Sequence, residues 1–71
     1  MNKLSDSELG LVVIALRSAF GSEFFTLDLK QSYAVCVDFH NAHNSEGINA
    51  TEYRDRIWSG NLNSYARTIT S

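Results

Sequence analysis

The strongest constraint on the fold lies near the start of the chain, where Leu4-Ser5-Asp6-Ser7-Glu8-Leu9 spells a helix entrance. Ser5 is placed to cap the backbone of Glu8 and Glu8 to reach back to Ser5, while Leu4 and Leu9 fall where a hydrophobic staple would close. Asp6 and Glu8 also complement the positive end of the helix dipole. Leu9, Val12, Val13, Leu16 and Phe20 then recur at helical spacing and make one apolar stripe, ending at Gly21 as a C-terminal cap.

The middle of the chain reads two ways. As a helix, Leu29, Tyr33, Cys36, Val37 and His40 share a face, with Thr26 or Asp28 as cap and Asn44 as stop. As a strand over residues 32–39, Tyr33, Val35, Val37 and Phe39 alternate with Ala34, Cys36, Asp38 and His40. No second run alternates as well to pair with it, so helix is the preferred reading. Past Gly47, Asn49 with Glu52 repeats a capping signature, Ile48 and Tyr53 can staple it, and Glu52 and Arg56 are spaced for an ion pair. Gly60 is expected to end that helix. Asn61 can cap a last one through Leu62, Tyr65, Ala66 and Ile69, fraying over Thr68-Ile69-Thr70.

The expected architecture is therefore all-α: three to four short helices in one small domain spanning residues 1–71, with an α+β fold as the alternative. The 71 residues and 44% hydrophobic content suit one such core. The single cysteine excludes an intramolecular disulfide and fits a reducing, cytoplasmic setting. No export signal is read at Met1–Lys3, and the apolar run Gly10–Leu16 is far short of the ~20 residues of a membrane span, so no membrane partner is expected.

Charge narrows the partners. Residues 1–46 hold Lys3, Arg17 and Lys30 against Asp6, Glu8, Glu23, Asp28, Asp38 and Glu46, and the whole chain carries a net charge of −2. Phosphate neutralisation supplies most nucleic-acid affinity, so a nucleic-acid partner ranks behind a protein one.

Chemistry-bearing patterns are sparse. Cys36, His40 and His43 would project from one face of a helix and are good zinc ligands, but a fourth ligand is missing; the plainer reading is a buried thiol and two histidines near a helix end. No zinc or other cofactor is favoured. Cys36 amid Tyr33, Val35 and Val37 lacks the orienting partners of a nucleophile, Asp28 and Asp38 show no matching partner, and no phosphate-binding glycine loop occurs, so an enzyme is not expected.

Two surfaces remain. Leu11 and Ile14 lie opposite the main stripe at about 100° per residue, among the small Ser7, Gly10 and Ser18. They are covered either by the Leu62–Ile69 segment or by a partner, which can be another protein or a second copy. Arg54, Arg56 and Trp58, with Tyr53, Tyr65 and Arg67, combine residue types enriched in binding hot spots. The function expected is a small cofactor-free regulator, adaptor or inhibitor that binds protein through an apolar helix face. The alternatives are a DNA-associated regulator using the arginine and aromatic side, and a metal-binding module.

Overall fold

In the computed structural model, which describes residues 3–57 and 65–66, three α-helices and one 3₁₀ helix follow one another in chain order. They are α1 (Asp6–Phe20), the 3₁₀ helix (Gly21–Thr26), α2 (Leu29–Glu46) and α3 (Ala50–Ile57). Tyr65 and Ala66 are helical as well. The fold is all-α, and no strand occurs among the described residues.

Helix α1 begins as the local sequence requires. Ser5 Oγ accepts from the Glu8 N–H at 3.2 Å, and Glu8 Oε1 accepts from the Ser5 N–H at 3.0 Å. These bonds from Ser5 hold the Glu8 carboxyl below its ordinary value, because donors aimed at a carboxylate favour its charged form. The helix stops at Gly21, whose φ of +66° an L side chain rarely adopts. Val12, Leu16 and Phe20 face the core, joined by Leu4.

A 3₁₀ helix over Gly21–Thr26, for which the sequence shows no signal, turns the chain between α1 and α2. Its adjacent phenylalanines separate: Phe24 is buried and Phe25 is 60% exposed, with the Arg17 guanidinium stacked 4.8 Å from the Phe25 ring centre. Thr26 is thus the end of this turn, and Asp28 is the cap of α2, accepting from Gln31 N–H at 2.8 Å.

Residues 32–39 are helical within α2, which rules out the strand alternative. Val35, Cys36, Phe39 and Ala42 are buried at helical spacing, and Val37 beside them widens the buried face. The alternation of large residues at 33, 35, 37 and 39 reflects this wide face, not a pleated strand. Leu29, expected on that face, is 91% exposed as the first residue of the helix. The helix also runs past Asn44, the expected stop, to Glu46. Asn44 stays helical with its side-chain amide 3.0 Å from His40 Nε2, and Gly47 takes the left-handed cap, its N–H bonded to the His43 carbonyl.

Asn49 Oδ1 accepts from the Glu52 N–H at 2.8 Å and starts α3. The expected Glu52–Arg56 pair is not formed: Arg56 Nη1 reaches Glu46 Oε1 at 2.6 Å, joining α3 to the end of α2. Both groups are about half exposed, and such pairs contribute little to stability. The expected end at Gly60, the cap at Asn61 and the fraying at Thr68–Thr70 lie outside the described residues. Helix α1 packs against α2, α3 and the 3₁₀ helix, so its inner stripe is the centre of the core.

Together α1 and the 3₁₀ helix form a 21-residue run, Asp6–Thr26, long and apolar enough to cross a membrane by length and composition. That is far more than the seven residues Gly10–Leu16 taken as its apolar part from sequence. Core helices and signal sequences meet the same criterion; here 22% of the apolar window is buried, with Val12, Leu16, Phe20 and Phe24 in the protein core.

Candidate functional site

The outer side of α1 carries two large aliphatic side chains that the fold leaves uncovered. Leu11 is 70% and Ile14 64% exposed, while Val12 and Leu16 on the opposite side are buried. Exposed Ser7, Gly10, Arg17 and Ser18 surround them. A methyl group added at Gly10 would meet nothing within 4 Å, so no contact inside the chain requires glycine there. The described part of the C-terminal segment does not lie on this face: the Tyr65 hydroxyl bonds to Asp38, and Ala66 is buried in the core.

Two apolar grooves flank the contact between α1 and α2. One, of about 390 Å³, is lined by Leu11, Val12 and Ala15 of α1, Phe39, His40 and His43 of α2, and Ala50. The other, of about 500 Å³, lies between Leu9 and Val13 of α1 and Leu29, Tyr33 and Cys36 of α2. The thiol–imidazole trio is divided between them. Cys36 borders the second groove while His40 and His43 line the first, because side chains of α1 pack onto the shared face of α2. Among the described residues no group of three or more His, Cys, Asp or Glu side chains is arranged to hold a metal ion.

The histidines have local duties. His43 Nδ1 lies 2.5 Å from the Ile48 carbonyl. A carbonyl only accepts, so Nδ1 carries the proton and ties the end of α2 to the approach to α3. His40 Nε2 faces the Asn44 amide and lies 3.7 Å from Glu8 Oε2.

Cys36 is 1% exposed, and burial pushes its thiol up to about 11. The thiolate is the reactive form of cysteine. Cys36 in the folded protein is therefore expected to resist iodoacetamide at pH 8 for hours and to react within minutes in denaturant, as followed by intact mass. Rapid labelling without denaturant would contradict this burial.

Asp38, which has no evident partner in the sequence, sits at a polar centre inside the fold. The hydroxyls of Tyr53 and Tyr65 both donate to Asp38 Oδ2, Tyr53 at 2.5 Å, and the two hydroxyls are 3.3 Å apart. Tyr53 is fully buried, its ring packed edge-on to Phe39 at 5.1 Å. Burial, reinforced by the Asp38 charge, raises both tyrosines above their ordinary value. With Cys36 they define an alkaline limit. Groups held protonated by the fold stabilise it fully below their unfolded values, and this contribution is lost as pH rises through their folded values. The melting temperature is thus expected to fall as the pH is raised from about 9 towards 11; a flat profile across that range would refute the shifts.

The arginine and aromatic surface is only partly described, since Trp58 and Arg67 lie outside the described residues. Arg54 donates to the Ala19 carbonyl at 2.9 Å and to Asp55, so it secures α3 to the end of α1. Arg56 is engaged by Glu46. Both guanidiniums are partly exposed, and each already faces a carboxylate.

No family model matches the chain, and neither the curated proteins nor the solved structures contain a match to it.

Proposed function

We propose that this chain is a protein-binding module whose contact surface is the outer side of α1, centred on Leu11 and Ile14. The observation that carries this reading is their exposure, 70% and 64%, on a helix whose entrance is closed by a capping box. Single exposed aliphatics are common on protein surfaces. Two neighbours one turn apart, opposite a fully formed core stripe, make a helix apolar on both sides, and such a helix is normally covered on both. Binding needs no cofactor, and a regulator, adaptor or inhibitor acts in this way.

The nucleic-acid reading draws less support. Arg54 and Arg56 are turned towards Asp55 and Glu46, which would have to be given up to reach phosphates. Nucleophilic catalysis is disfavoured by the protonated, buried Cys36.

Leu11→Asp tests the proposal. Because the side chain is exposed, far-UV circular dichroism should be unchanged and unfolding stability altered by no more than about 0.5 kcal/mol. Capture of the binding protein by the tagged chain in its native cells should be abolished. Loss of folding would place Leu11 in the core, and undiminished capture would move the contact elsewhere.

A further inference from the structure

Building on that reading, we infer that the occupant of the outer α1 face is a second copy of this chain, docked antiparallel. Ser7, Leu11, Ile14 and Ser18 are spaced by four, three and four residues, the seam of a helix that packs along another helix. All four are exposed on α1. The seam is self-complementary when one helix is reversed. Ser7 then lies level with Ser18 of the second copy at each end, and the two leucines and two isoleucines interdigitate between them. Ile14 of one copy projects towards Gly10 of the other, where the chain itself leaves the space open.

Charge selects the direction. Asp6 and Arg17 lie on the same flank of the seam, in the first and last turns of α1. In the antiparallel pair, by symmetry, each Arg17 approaches the other copy's Asp6, and the two helix dipoles oppose one another. A parallel pair would bring both acidic first turns to one end and align the dipoles. A 15-residue helix offers less than the ~800 Å² per partner of a standard interface. The dimer is therefore expected to be reversible, with a dissociation constant of about 10–100 µM.

Sedimentation equilibrium over concentrations of about 5 to about 500 µM, which bracket that constant, should show a monomer–dimer equilibrium. Ile14→Glu should weaken it more than about tenfold with helicity unchanged. Gly10→Gln should also weaken it while raising the melting temperature, since glutamine favours a helix and the site is open within the chain. Orientation is read by cross-linking: Ser7→Cys mixed with Ser18→Cys should oxidise to a mixed dimer, while neither variant alone should do so. Identical cysteines in the antiparallel pair stand about 16 Å apart along the axis, beyond disulfide reach. A homodimer of Ser7→Cys alone would overturn the orientation. A wild-type chain monomeric throughout, or one that instead co-sediments with phosphatidylcholine vesicles, would overturn the second copy as occupant. The protein-binding reading fails separately, if Leu11→Asp or Ile14→Glu unfolds the chain.

Discussion

Replacing Tyr53 with alanine is expected to remove about half or more of the protein's stability at 25 °C. Truncation of a large aromatic in a core costs about 3–5 kcal/mol, and a domain of this size has a total stability of roughly 4–10 kcal/mol. Tyr53 stands at the upper end of that cost. It has no solvent exposure, it packs against Phe39, and its hydroxyl satisfies a carboxylate that would otherwise lose a partner. Tyr53→Phe keeps the ring and removes only the bond to Asp38. Hydrogen bonds to charged groups contribute about 1.5–3 kcal/mol, so this variant should remain folded with a lower urea midpoint. Equal stability of the two variants would mean that the ring contributes nothing beyond its hydroxyl, contrary to the packing described above.

Asp38→Ala is expected to have the next largest effect, about 3 kcal/mol, because one substitution removes the acceptor of two tyrosine hydroxyls. Among the described residues, the fully buried Tyr53 hydroxyl would keep Tyr65 as its one hydrogen-bonding neighbour. The effect should not add to that of Tyr53→Phe. A double-mutant cycle in urea should give a coupling of at least about 1 kcal/mol, and simple additivity would show that the carboxylate and the hydroxyl act independently. Asp38→Asn is expected to lose less than Asp38→Ala, since its amide oxygen can still accept one of the two bonds.

The elements that could be read from sequence are those whose signals are local. Ser5 with Glu8, Asp28 with Gln31, and Asn49 with Glu52 each lie within one turn of each other, and each forms the cap its spacing implies. The stripe ending at Phe20 and the placing of Leu11 and Ile14 opposite it followed from periodicity alone, whereas their exposure is seen only in the fold. What escaped depends on which elements meet. The Asp38 centre joins residues 15 and 27 positions apart, and no pattern along the chain links a carboxylate to those tyrosines. Arg56 could be paired with Glu52 on one helix, but the approach of α2 offered Glu46 instead. Cys36, His40 and His43 share a face by spacing, yet packing of α1 on that face divides them. The strand reading of 32–39 arose because a helix buried on a broad side shows several large residues in alternate positions.

The bond from Tyr65 to Asp38 and the burial of Ala66 have a consequence for how this polypeptide can be shortened. A fragment cut after Ile57 would retain all three long helices and still lack a piece of its own interior. Trimming to a minimal unit must therefore stop beyond residue 66, and a synthetic peptide of residues 58–71, added back to the cut fragment, should restore the lost stability in trans.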